Sequence, residues 1–366
     1  RHQKPGQGAD EHIDHPEGVG ISEKAPHARV LACRRHHSKP LCTANHLAMT
    51  PSPAPSLYTR GLRSLLFRLD AERAHDLAVL AARCAASNAW LRRLLFGRLH
   101  YASERLQVSI AGLRAAAPLG VAAGLDKQGT LYPFLAQCGF GHVESGTFTA
   151  LPQRGNPRPR LFRFVGREAI VNRMGFNNPG AVRAAAVIRR QERSVPRGIS
   201  LGKSRVAQDP VADLRDALQP LAPLADYLAI NVSSPNTPGV RALQTEPALR
   251  ALFGVVREVA PQRPLFLKLA PDLAEADFDR LVDVAEELGA AALVLTNTTL
   301  SRRGVPEAEN VEGGLSGAPL REISTAWIRR AFRRTSGRLP IVGVGGIVEV
   351  EHGEKDRDEH ALGIVA

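Results

Sequence analysis

Residues 227–239 read YLAINVSSPNTPG. The stretch opens as a buried strand, Tyr227-Leu228-Ala229-Ile230, and then turns polar. Asn231, Ser233, Ser234, Asn236 and Thr237 follow, stiffened by Pro235 and Pro238. Two readings fit. Ser, Pro, Asn and Gly dominate ordinary turns; a rigid cluster of neutral hydroxyls and amides also suits a flat polar ligand. The neighbouring sequence bears on the choice.

From about residue 118 the same pattern recurs. Short apolar runs, PLGVAAGL (118–125), HVESGT (142–147), GISLGK (198–203), YLAINVSS (227–234), LFLKLA (265–270), ALVLTNT (292–298) and LPIVGVGG (339–346), alternate with helical candidates at 179–193, 210–222, 246–259, 274–288 and 319–335. Strand–helix alternation implies a parallel sheet, because parallel strands need crossover connections. The fold class is therefore α/β, and seven such strands fall one short of a (β/α)8 TIM barrel. A doubly wound sheet competes, but no GxGxxG turn follows the first strand.

In a barrel the C-terminal strand ends converge on one mouth, where active sites lie. Here those ends carry Gly124-Leu125-Asp126-Lys127, Ser145-Gly146-Thr147, Gly202-Lys203, the opening motif, Lys268, Thr296-Asn297-Thr298 and Gly343–Gly346. Between Met49 and Gly346 the only lysines are Lys127, Lys203 and Lys268, all at or near a strand end, in a chain that otherwise uses arginine for charge. Lysine is a compact point charge and arginine a bulky fork. The runs Glu312–Gly317 and Gly343–Gly346 could expose backbone N–H groups to a phosphate. Ser234 is the catalytic candidate. A serine is a weak base unless the product anion is strongly stabilised, which Lys127 and the amides of Asn172, Asn231, Asn236 and Asn297 could do.

Composition sets limits. The chain has 366 residues, 44% hydrophobic, with a net charge of +12. Of the 48 basic residues 41 are arginine, and they are scattered; with aromatics at 5%, little is available to stack bases, so a nucleic-acid partner is not expected. Cys33, Cys42, Cys84 and Cys138 have no metal-ligand spacing, and no metal site is expected. Residues 1–48 hold seven of the twelve histidines and lack hydrophobic periodicity; they read as a disordered or non-native extension. Residues 49–100 read as a pair of amphipathic helices, with Leu62, Leu65, Leu66 and Leu69 at helical spacing and Asp70 placed to cap the second helix. Eight arginines there suit either a membrane surface or an ordinary solvated face.

Taken together, AAGLDK (122–127), RPRLFR (158–163), NRMGFNN (172–178), NVSSPNTPG (231–239), KLAPDL (268–273), TNTTL (296–300), GGLSG (313–317) and GVGGI (343–347) resemble the quinone-dependent (class 2) dihydroorotate dehydrogenases. The resemblance runs from about Leu57 to Ile347. It implies a flavin mononucleotide (FMN) barrel over 101–346 that oxidises dihydroorotate to orotate in pyrimidine synthesis. FMN would meet Ala123, Gly124, Thr147, Ser200, Asn231, Lys268, Thr296, Gly317 and Gly346. The substrate would meet Lys127, Asn172, Arg173, Met174, Gly175, Phe176, Asn231, Asn236, Asn297 and Thr298. Ser234 would take the C5 proton while the C6 hydride passes to the flavin. Relatives with a soluble acceptor use cysteine as this base, so serine points to a quinone, entering past His75 and Arg163. The helical pair then becomes a quinone and membrane-entry domain, and the protein a peripheral one on the cytoplasmic face. Two departures stand out. Ser200 replaces an asparagine common in the family. The tail 347–366 carries no motif for an eighth strand or last helix, so an open barrel is expected, with a cofactor-less remnant or a related soluble-acceptor barrel as alternatives.

Overall fold

The computed structural model describes residues 61–88, 90, 104–347 and 363–365. The expected extension 1–48 lies outside them. Of the expected helical pair the described parts are α1 (Arg63–Arg68) and α2 (Ala71–Ser87). Asp70 caps α2 as its sequence position indicates, accepting from the backbone N–H groups of Glu72 (3.0 Å) and Arg73 (3.1 Å).

A hairpin follows, β1 (Val108–Ile110) and β2 (Leu113–Ala115), joined by Ala111 and Gly112. Both joining residues have positive φ, 51° and 79°, as a two-residue hairpin turn requires. Ile110 packs with Tyr227, Phe266, Val294 and Val342, so the hairpin closes the N-terminal floor of the barrel.

The barrel is built from β3 (Leu119–Gly120), β4 (Val143–Phe148), β7 (Arg197–Leu201), β8 (Tyr227–Asn231), β9 (Leu265–Leu269), β10 (Ala292–Leu295), β12 (Ile341–Val344) and β13 (Gly363–Val365). Their order in the sheet is β3-β13-β12-β10-β9-β8-β7-β4, and a parallel bridge from Val121 to Val143 joins the two ends. The crossover helices are α3 (Tyr132–Gln137), α4 (Ala181–Ile188), α5 (Pro210–Leu221), α6 (Glu246–Val259), α7 (Glu275–Glu287) and α8 (Arg321–Thr335). The main core lies between staves and helices, where Leu228, Leu267 and Leu293 meet Leu218, Phe253 and Phe278.

The α/β barrel expected from the sequence is therefore present, with one amendment. The place left open for an eighth strand is taken by β13, which pairs in parallel with both β12 and β3. The first and seventh staves are not the free edges that an open barrel would leave. Parallel pairing uses backbone groups alone, so Gly363-Ile364-Val365 can form it without the family's side-chain motif. The last helix, expected to be absent, falls outside the described residues.

A second sheet stands over the mouth. It is antiparallel, in the order β11-β6-β5, formed by β5 (Leu161–Phe164), β6 (Ala169–Asn172) and β11 (Gly314–Gly317). This corrects one expectation: most of the Glu312–Gly317 run is a strand, with its backbone paired to β6 and, at Leu315, to Thr299 (2.7 Å), rather than an anion loop. The Gly345-Gly346 turn after β12 does stay open to the mouth.

Candidate active site

Between the staves and the upper sheet lies a cavity of about 500 Å3. Every stave from β3 to β12 except β7 sends residues to it from its C-terminal end or the loop beyond. Ala123, Gly124 and Lys127 follow β3; Thr147 ends β4; Asn231, Ser234 and Asn236 come from β8 and its loop. Lys268 lies on β9, Thr296, Asn297 and Thr298 follow β10, and Gly346 follows β12. Asn172, Met174, Gly175, Phe176 and Gly317 close it from above, and His75 of α2 reaches one side. A larger groove, about 990 Å3, runs along α8 past Arg303, Trp327 and Arg330, but it is more open and receives no strand-end group.

The opening motif forms a hydrogen-bonded plate. Asn231 Nδ2 donates to Thr147 Oγ1 (3.0 Å), and Asn231 Oδ1 accepts from Ser233 Oγ (2.9 Å) and Asn297 Nδ2 (3.2 Å). Asn297 Nδ2 also donates to Ser233 Oγ (2.9 Å), and Asn236 Nδ2 to the Asn172 carbonyl (3.0 Å). Ser234 is buried, and its Oγ accepts from the Asn236 backbone N–H (3.3 Å). These bonds fix the amides before any ligand arrives, which a solvent-facing turn would not need. Asp126 holds the loop after β3, accepting from Ser145 Oγ (2.9 Å) and the N–H groups of Thr130 (2.8 Å) and Leu131 (3.0 Å).

Two lysines line the chamber. Burial first, and then the neighbouring Arg160 charge, bring Lys127 down to about 8. Burial pushes Lys268 down as well, opposed by the negative charge of Glu144. His75 is lowered by burial and by the positive charge of Lys127. The third lysine does not join them: Lys203 Nζ donates to the Ser204 carbonyl (3.1 Å) outside the cavity.

Three expected contacts also fall outside the lining. Ser200 is buried one layer back and shares a hydrogen bond with Thr147 Oγ1 (2.9 Å). Arg173 turns outward to pair with Glu312 (2.9 Å). Arg163 donates to the Leu69 carbonyl (2.5 Å) and stacks over the Phe67 ring (4.7 Å), clamping α1. Leu161, Ile170, Ser316 and Leu320 line the cavity and were not singled out from the sequence. The first three belong to the upper sheet, whose long-range pairing leaves no local periodicity to read.

The chain is similar to known proteins over most of its length. The family model described as dihydroorotate dehydrogenase matches residues 105–353. A dihydroorotate dehydrogenase (quinone) of Myxococcus xanthus is 48% identical over 293 residues, covering 78% of this chain and 81% of its own. The corresponding protein of Streptomyces coelicolor is 42% identical over 311 residues, covering 81% and 84%. Among solved structures, the Eimeria tenella enzyme in complex with ferulenol superposes with a TM-score of 0.73 at 32% identity, over 82% of this chain and 88% of that one. The chain belongs to the dihydroorotate dehydrogenase family, and these curated relatives are its quinone-dependent members.

Proposed function

We propose that this member of the dihydroorotate dehydrogenase family oxidises dihydroorotate to orotate in pyrimidine synthesis, using FMN and a membrane quinone. The observation that carries this reading is the convergence of Ser234, Lys127, Lys268 and the Asn231/Asn236/Asn297 amides on one cavity.

The residues present fit a flavin. Lys268 offers a buried cation with no hydrogen-bond partner among the described residues. Thr296 Oγ1 is buried and unpartnered, and a Cβ on Gly124 would meet only open space. Ala123, Gly124, Thr147, Asn231, Lys268, Thr296, Gly317 and Gly346 are the residues that would hold the cofactor, with Ser200 steadying Thr147 from behind. When bound, FMN supplies the acceptor for the substrate hydride and the route of its electrons to the quinone.

The chain's own residues do the rest. Lys127, charged below about pH 8, holds the substrate carboxylate. Asn172, Asn236, Asn297 and Thr298 orient the pyrimidine amides. Ser234 Oγ takes the C5 proton as its own hydroxyl proton passes on to solvent, and the Asn236 N–H that it already accepts stabilises the negative charge that this develops on the oxygen. Leu161, Ile170 and Phe176 give the cavity apolar walls. Arg173 acts indirectly, by fixing the Asn172–Phe176 loop from outside through Glu312.

Leu62, Leu65, Phe67 and Leu69 on and beside α1, with Leu77 and Leu80 of α2, are all exposed. Such an apolar face suits attachment to a bilayer surface. His75 marks the way from that face into the cavity. No helix among the described residues is long and apolar enough to cross a membrane.

The test is direct. The purified protein should be yellow, bleach on anaerobic addition of dihydroorotate, and recover colour with a quinone but not with fumarate or NAD. Flavin that dihydroorotate leaves oxidised would refute the substrate assignment.

A further inference from the structure

Beneath the cavity the barrel interior holds polar groups that this chemistry leaves unused. Glu144 of β4 is fully enclosed. Tyr227 of β8 donates its hydroxyl to Glu144 Oε2 (3.3 Å), while Oε1 has no partner. The contact depends on a missing side chain. Glu144 lies opposite Gly198 in the sheet and Gly198 opposite Tyr227, and a Cβ on Gly198 would lie 2.2 Å from the tyrosine ring. The bare middle stave lets the phenol reach the carboxylate. Lys268, two strand positions above Phe266, faces the same interior, and Phe266 stacks on Tyr227 with ring centroids 4.3 Å apart.

The titratable groups facing this space are Glu144 from β4, Tyr227 from β8, Lys268 from β9 and His142 just before β4; β7 contributes Gly198 and Ser200, β10 Val294, and the residue after β10 is Thr296. Burial brings His142 down to about 4 and holds Tyr227 well above its usual range, so both are neutral near pH 7. Only Glu144 and Lys268 remain to carry charge. Among the described residues, the Glu144 charge favours the protonated form of Lys268, and the Lys268 charge favours the Glu144 carboxylate. A lone ion in such a place is strongly disfavoured, whereas two of opposite sign offset each other.

We propose that Glu144 is a positioning residue, the internal counter-charge that keeps Lys268 protonated on the cavity floor. The pairing itself needs no cofactor; its consequence for cofactor binding rests on the FMN reading above. Burial pushes Glu144 up and Lys268 down, and each partner works against that push in the other. Without the carboxylate the lysine gives up its proton at lower pH. Tyr227 contributes by stabilising the carboxylate.

The experiment uses the full chain, first without cofactor. It follows the 13C signals of the lysine side chains against pH, a short spectrum because the chain has seven lysines; Lys268→Met assigns the one required. In Glu144→Gln the Lys268 midpoint should fall by about one pH unit or more, with Glu144→Asp lying closer to wild type. An unchanged midpoint overturns the proposal. If Glu144→Gln does not fold, Tyr227→Phe should give a smaller shift of the same sign, and no shift there is equally decisive. In the flavin-loaded protein, Glu144→Gln should weaken FMN binding about tenfold for each pH unit between the lowered midpoint and the wild-type one, while leaving it near wild type below. A wild-type chain that takes up no FMN would remove the flavin reading, and the lysine titration would still decide this one.

Discussion

Raising the pH from about 7 to about 9 should loosen the grip of the site on an anionic ligand, and Lys127 is the reason. Its ammonium is buried beside Arg160, and these two causes bring it down to about 8. The charged form is the one that binds a carboxylate, so affinity is full below that value and lost above it. About ten in eleven molecules carry the charge at pH 7 and about one in eleven at pH 9, a tenfold change worth about 1.4 kcal/mol. Orotate is the right probe, since it carries the carboxylate and needs no proton removed by Ser234. Its dissociation constant, read from the perturbed flavin spectrum, should rise about tenfold across the window. Lys127→Met should bind weakly throughout, by about 1.5–3 kcal/mol for a charged hydrogen bond, and lose the pH dependence. A wild-type curve flat to pH 9, or a Lys127→Met curve that still bends, would refute the assignment.

Ser234→Ala should retain FMN and orotate affinity but lower the rate of flavin reduction by dihydroorotate about 10²–10⁴-fold, measured in a single turnover. Glu72→Ala should destabilise the protein by about 3–5 kcal/mol in urea unfolding, because Arg160, itself buried, loses the carboxylate that it meets through Nε (2.9 Å) and Nη2 (2.7 Å). His142 should make stability fall in mild acid. Its folded value, about 4, lies below the unfolded one, so the unfolded chain binds the extra proton between about pH 6.5 and 4, and up to about 3 kcal/mol is lost over that span. Thermal melts of His142→Leu should lack this component.

The barrel was legible because its evidence is local and repeated. The helix expected at 246–259 is α6 residue for residue, and 210–222 and 274–288 match α5 and α7 to within a residue at each end. Lys127, Ser234, Lys268 and Asn297 could be brought together from sequence because a parallel barrel puts all its C-terminal strand ends on one side. The upper sheet was not legible. β11 finds β6 across some 140 residues, and its Gly-Gly-Leu-Ser-Gly composition reads as a loop until that partner is known. Ser200 and Arg173 fall outside the cavity lining for another reason. Motif position fixes the stave or loop but not which way the side chain leaves it, and here one is packed behind Thr147 and the other drawn off by Glu312.

The excess positive charge resolves along the same lines. On the outer helices arginines face acids: Arg330 meets Asp279 and Glu275, Arg334 meets Asp283, Arg338 meets Glu286, and Arg250 meets Glu246 and Glu287. Such exposed pairs each contribute little to stability. They do pair those guanidinium groups with neighbouring carboxylates. Arginine can serve there because there is room for its planar fork. Among the described residues the basic groups lining the cavity are Lys127, Lys268 and His75, with no arginine. A guanidinium at position 127 or 268 would stay charged at any working pH. Burial pushes both interior lysines toward the neutral form, and Arg160, Glu72 and Glu144 bear on how strongly each holds its proton. The division of labour between the two basic residue types, visible in the sequence as a near-absence of lysine, follows from the difference between a surface that needs pairing and a cavity that needs tuning.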